Sequence, residues 1–202
     1  MKNTTLSILL LALFLTIPCC KDGPNVPGTD PVVQPDWIVG ADISLLSRIQ
    51  AAGGVYKDSQ GKEVEVLSFF KEKGFNYVRL RLFVNPDLQS TASQNLPYVQ
   101  EMIRKAKAKG YKILLNFHYS DTWADPGKQY KPASWNILGA DALAEKVYTY
   151  TRETLSQLVL NGAAPDMIQI GNEISNGMLW DSARADVWSK EWNTSARWTY
   201  FC

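Results

Sequence analysis

Asn172-Glu173 stands in the phrase PDMIQIGNEISNGMLW (Pro165 to Trp180), directly after a short apolar run. A glutamic acid in a partly apolar pocket keeps its proton to higher pH and can protonate a glycosidic oxygen. A neighbouring Asn can bind a sugar 2-hydroxyl. Competing chemistries lack their residues. Three Cys (Cys19, Cys20, Cys202) and a single His, His118, exclude zinc sites built on Cys/His clusters and any disulfide framework. Oxygen-ligand sites for calcium stay open. No G-x-S-x-G elbow occurs, Gly54 to Lys62 is too widely spaced for a P-loop, and no G-x-G-x-x-G follows the first strand candidate. A Ser–His–Asp triad would need His118, whose nearest partners, Ser120 and Asp121, are sequence neighbours without triad geometry. With 21 Lys+Arg against 20 Asp+Glu, the chain has no electrostatic footprint for nucleic acid. Carboxylate chemistry remains.

Such residues need a scaffold, and the sequence alternates short β-type runs with amphipathic helices. Strands are expected at Trp37 to Asp42, Tyr77 to Phe83, Ile113 to His118 and Met167 to Gly171. Helices are expected at Glu63 to Lys73, Pro97 to Lys109 and Ala140 to Leu160, the first two closed by Gly74 and Gly110. Repeated β-then-α steps predict a parallel sheet wrapped by helices. Because side chains alternate across a strand, Arg79 and Arg81 share one face, as do Asn116 and His118, while Gln169 and Glu173 project together. Asp42 closes the first strand in the same way. Polar groups thus gather at the C-terminal end of every strand, where a (β/α)8 barrel or an open doubly wound sheet binds its ligands.

The same residues have structural readings. Arg79 and Arg81 could be lumen ion-pair partners, Asp42 a turn cap, and His118 a satisfied core histidine. The loop Tyr119 to Trp135 is long, polar and aromatic. Trp123, Tyr130 and Trp135 offer flat faces and Asp121, Asp125 and Gln129 offer hydrogen bonds, a mixture suited to sugar rings or to loop packing.

Four phrases taken together resemble the arabinogalactan endo-β-1,4-galactanases of glycoside hydrolase family 53. They are GADIS (Gly40 to Ser44), GFNYVRLRLFVNPD (Gly74 to Asp87), FHYSDTWADPGKQ (Phe117 to Gln129) and PDMIQIGNEISNGMLW, spread over residues 37 to 180. The resemblance implies a (β/α)8 TIM-type barrel cut to about its first four β/α units. It implies Glu173 as general acid/base and Asn172 at the cleavage subsite. It gives Arg79 or Arg81 as support for the nucleophile, and His118, Asp121 and Trp123 as walls of the sugar subsites. It further implies β-1,4-galactan or galacto-oligosaccharides as substrate, cleavage with retention, and no cofactor. In that family the nucleophile follows the seventh strand, so its Glu has no counterpart here, and any calcium would belong to the half not present. Alternatives are a barrel glycosidase acting on mannan or cellulose, a glycan-binding protein without turnover, and a non-functional remnant.

The flanks read differently. Lys2 and the apolar run Leu6 to Ile17 form an export signal ending at Pro18-Cys19-Cys20. This resembles a bacterial lipoprotein signal, with Cys20 favoured over Cys19 as the lipidation site and a membrane the expected partner through that anchor; an ordinary secretory signal is the alternative. Lys21 to Asp36, with four Pro and two Gly, reads as an extended tether. Asp181 to Cys202 shows no defensible period and is expected to be an out-of-frame or prematurely stopped tail.

Overall fold

The computed structural model describes residues 37–180, together with the backbone of Ala183–Arg184. The leader, the tether, Cys20 and the rest of the tail lie outside the described residues. Four strands, β1 (Gly40–Asp42), β2 (Tyr77–Leu82), β3 (Lys112–Phe117) and β4 (Met167–Ile170), form one sheet in the order β1-β2-β3-β4. Every pair is parallel. Each return to the sheet runs through helix: α1 (Leu46–Ala51) and α2 (Val66–Glu72), then α3 (Leu96–Ala108), then α4 (Ala140–Leu160). This is the β/α alternation of a barrel wall.

The core lies between the sheet and the helices. Val78, Leu80 and Leu82 of β2 and Ile113, Leu115 and Phe117 of β3 are buried on one face. Against them pack Val99, Met102, Ile103 and Ala106 of α3, and Leu143 and Leu158 of α4. Each of the larger side chains among them, when taken from water, contributes about 1.5–3 kcal/mol. Burying this face leaves the other face of every strand to the lumen.

Helix ends follow local chemistry. Asn95 caps α3, its side-chain oxygen accepting from the Tyr98 N–H, with Pro97 in the first turn. Glu65 caps α2 by accepting from Leu67 and Ser68. Glu63 and Val64, expected in that helix, instead pair with Lys57 and Tyr56, so α2 starts at Val66. The six-residue α1 was not anticipated, being too short to show a period. β1 is shorter than expected because its pairing with β2 begins at Gly40. β4 stops at Ile170 because Gly171 turns with φ +72, and a Cβ there would sit 2.4 Å from Ile174 Cγ2. Beyond β4, β5 (Gly177–Met178) pairs antiparallel with β6 (Ala183–Arg184), which falls inside the tail read as lacking period.

Among the described residues, β1 and β4 each have one edge without a strand partner. Ile168 and Ile170, on the helix-facing side of β4, are 40% and 45% exposed. Open parallel edges beside exposed aliphatic surface favour self-pairing. The 202-residue chain expressed alone should therefore run as a dimer or larger in size exclusion with light scattering. A stable monomer at tens of micromolar would contradict this.

Candidate functional site

Strand register decides which polar groups meet. Asp42 pairs with Arg79, which pairs with Leu114; one step along, Arg81 pairs with Asn116, and Asn116 with Gln169. These side chains point to the face opposite the core. Below them, Ile38, Gly40, Tyr77, Leu114 and Met167 line an open, mostly apolar hollow of about 250 Å3.

The Arg79 guanidinium reaches three other strands or their ends. Nη1 donates to Asp42 Oδ2 at 2.7 Å, Nε to Gln169 Oε1 at 3.1 Å, and Nη2 to Asn116 Oδ1 at 2.7 Å and Asn172 Oδ1 at 2.8 Å. Arg81 Nη2 donates to the other Asp42 oxygen at 3.1 Å. Burial works to raise the Asp42 carboxyl, but hydrogen bonds from Ser44 and the Arg81 and Arg79 guanidiniums outweigh it and hold it below the ordinary carboxylate value. Asp42 is thus the ionised counter-charge for both arginines. Both arginines are ion-pair partners of Asp42, and Arg79 also orients Asn172.

Asn172 is buried and fixed from both ends: its Oδ1 accepts from Arg79, while its Nδ2 donates to Ala124 O at 2.8 Å. Glu173, next to it, is exposed at the end of β4. Its backbone has φ +51 and ψ +46, the left-handed region that non-glycine residues seldom occupy.

His118 is 1% exposed, between the Phe83 ring (4.4 Å between centroids) and Trp123 (5.5 Å). Its Nδ1 accepts from the Ala124 N–H at 3.4 Å, so the neutral ring carries its proton on Nε2. Burial first, then the Arg79 and Arg81 charges, push its pKa down to about 3. The Arg81 guanidinium lies 4.7 Å from the centre of the Trp123 ring, which is itself exposed. His118 Nε2 and Arg81 Nε are buried donors without a protein partner. Donors of that kind, next to an exposed indole face, suit the hydroxyls and C–H face of a sugar.

The structure thus brings Asp42, Arg79, Arg81, His118, Trp123, Asn172 and Glu173 to one end of the sheet. Asp121 has other obligations. Its two oxygens accept from the backbone N–H groups of Asn85 and Ala133, at 2.8 and 2.9 Å, so it ties the loops after β2 and β3 together. Asp125 closes a turn by accepting from Gly127 and pairing with Lys128. Gln129 is buried, its amide spent on backbone carbonyls. Asn116 belongs to the site through Arg79 and through its donation to Gly171 O at 2.7 Å; its place on the lumen face was the sequence signal for it. Among the described residues, no group of three or more His, Cys, Asp or Glu side chains could hold a metal ion.

A family model described as glycosyl hydrolase family 53 matches residues 38–198. The chain is 42% identical over 147 residues to a probable arabinogalactan endo-β-1,4-galactanase A of Aspergillus terreus, covering 73% of this chain and 41% of that protein. It is 41% identical over 144 residues to the arabinogalactan endo-β-1,4-galactanase of Cellvibrio japonicus, covering 71% and 38%. Among solved structures, the family 53 catalytic domain of Ignisphaera aggregans superposes with a TM-score of 0.69 at 43% identity, covering 78% of this chain and 45% of that one. In each comparison the chain spans less than half of the relative's own length.

The buried neutral histidine has a measurable consequence. The unfolded imidazole titrates near 6.5 and the folded one near 3, so the unfolded state takes up a proton first as pH falls. His118 therefore contributes stability above pH 6.5 that is lost between 6.5 and 3. His118→Phe should flatten the pH dependence of urea unfolding in that window by about 1.4 kcal/mol per pH unit. An unchanged slope would mean that the ring is already protonated in the folded chain.

Proposed function

The chain belongs to glycosyl hydrolase family 53, and from that footing we propose that it supplies the acid/base side of an enzyme that cleaves β-1,4-galactan with retention of configuration. The observation that carries the reading is the pair at the end of β4: a buried Asn172 held by Arg79 and Ala124, followed by an exposed Glu173. In the proposed reaction a carboxylate attacks the anomeric carbon while the Glu173 carboxyl gives its proton to the departing glycosidic oxygen. Glu173, now ionised, then takes a proton from the water that breaks the glycosyl–enzyme bond. The two carboxyl groups of a retaining enzyme stand about 5 to 5.5 Å apart. Asp42 does not suit the attacking role because both its oxygens are bound by guanidinium groups. In this reading the attacking carboxylate follows a seventh strand, and the described residues carry four barrel strands.

In the same reading, Asn172 binds the sugar at the cleavage point, Trp123 stacks on a ring, and the free N–H groups of His118 and Arg81 meet hydroxyls. A neutral His118 suits that work, since it donates without competing for the proton that Glu173 delivers. Asp121 acts one step back, by fixing the loop that carries Trp123.

The reading is tested by assaying the 202-residue chain and a fusion of residues 37–180 to the part of the Cellvibrio japonicus relative that follows the matched segment. The fusion should release reducing sugar from galactan well ahead of mannan or cellulose, and Glu173→Gln should lower kcat by about 10²- to 10⁴-fold. Preference for mannan or cellulose, or full activity in Glu173→Gln, would sink it. Binding of galacto-oligosaccharides by the unfused chain without turnover, weakened by Trp123→Ala, would favour the glycan-binding alternative.

We also propose that the leader delivers this domain to a bacterial cell envelope with a lipid on Cys20 and residues 21–36 as spacer. A clickable palmitate analogue should label the expressed chain and fail to label Cys20→Ser. Equal labelling of that variant would move the anchor elsewhere.

A further inference from the structure

Gln129 belongs to a polar, aromatic loop whose composition suits sugar rings or loop packing, and it is 1% exposed. Its Nε2 donates to Asn172 O at 2.7 Å, to Asp125 O at 3.1 Å and to Glu173 O at 3.3 Å. Two protons serve three carbonyls, so one is shared. The carbonyls of Asn172 and Glu173 belong to the two peptide planes on either side of the Glu173 Cα. Holding both planes fixes φ and ψ of Glu173 between them, and so the direction of its Cα–Cβ bond.

That backbone needs holding. Glu173 is left-handed at φ +51, a conformation that a side chain bearing Cβ adopts only where its surroundings impose it. Two other contacts support the same turn. The Trp180 N–H donates to Gln129 O at 2.7 Å, and Asn176 Nδ2 donates to Pro126 O at 2.9 Å. Neither touches the peptides that flank Glu173.

We propose that Gln129 is a positioning residue for the acid/base carboxyl, its buried amide locking the left-handed turn that aims Glu173 at the scissile oxygen. This rests on Glu173 being the acid/base, as proposed above. Gln129 itself touches neither substrate nor the reacting atoms.

The test uses the galactan-hydrolysing fusion and a pair of substrates that differ in their need for acid help. Galactan has a poor leaving group and depends on protonation; a 2,4-dinitrophenyl β-galactoside leaves without it, and azide can replace base-activated water in the second step. Gln129→Met keeps volume and removes the donor. It should lower kcat on galactan about 10- to 100-fold with KM nearly unchanged, lower bond cleavage in the aryl galactoside by less than threefold, and respond to azide as Glu173→Ala does. Gln129→Glu is the companion variant, folding at low pH where its carboxylic acid can still donate a hydrogen bond. Its galactan rate relative to the parent should fall as pH rises and that acid ionises.

Loss of equal size on both substrates, or no loss on either, overturns the positioning role while leaving Glu173 in place. Undiminished galactan turnover in Glu173→Ala, or an inactive parent fusion, overturns the acid/base reading and this inference with it. If Gln129→Met does not fold, a Gln129→Glu rate ratio that stays flat with pH is the overturning result.

Discussion

The Arg79 guanidinium is the interaction around which the lumen face is arranged. Its nitrogens bond to Asp42 at the end of β1, Asn116 on β3, Gln169 on β4 and Asn172 beyond β4. A charge facing the inside of a sheet must be compensated there, and a planar fork with several fixed donors can satisfy many acceptors at once. A lysine ammonium could neutralise Asp42 but could not span the remaining three. Because the acceptors come from separate strands, the fork also makes the register of one strand felt at the ends of the others. Arg81, sharing Asp42, extends the arrangement toward Trp123 and His118.

Much of this could be read from the chain before any coordinates. Period-two alternation in YVRLRL and KILLNF separates core-facing from lumen-facing residues, and the structure keeps that division. Long amphipathic runs located α3 and α4 within a residue or so. The loop after β3 was not legible in the same way. Asp121, Asp125 and Gln129 are polar residues in a polar, aromatic stretch, and composition gives no sign of whether their partners are sugars or backbone. Asp125 turns back on its neighbours Gly127 and Lys128, while Asp121 and Gln129 reach Asn85, Asn172 and Glu173, which come close only once the strands lie side by side. The left-handed backbone of Glu173 was hidden for a related reason. Nothing in the phrase IGNEIS favours it locally, and it exists because contacts distant in sequence impose it.

Two forms of preorganisation coexist at the strand ends. The charged part sets one carboxylate, Asp42, against two guanidiniums, so a net positive charge remains beside the Asn172 amide that Arg79 orients. The aromatic part is neutral, with His118 held uncharged by burial and flanking guanidinium groups. Glu173 lies exposed at the end of β4, and among the described residues Arg79 and Arg81 form their ion pairs with Asp42 rather than with it.

The backbone ties of the loop after β3 bear on how such a protein can diversify. Between Asp121 and Ala133 the chain is bound at both ends by one carboxylate, and midway it carries the amide that holds the turn at Glu173. An insertion or deletion between these points would shift Gln129 along the loop and disturb the turn at Glu173 at the same stroke. The segment is a frame in which length is frozen while outward side chains such as Tyr130 stay free to vary. Related chains would be expected to change the decoration of this loop by substitution and to seek new length elsewhere around the rim.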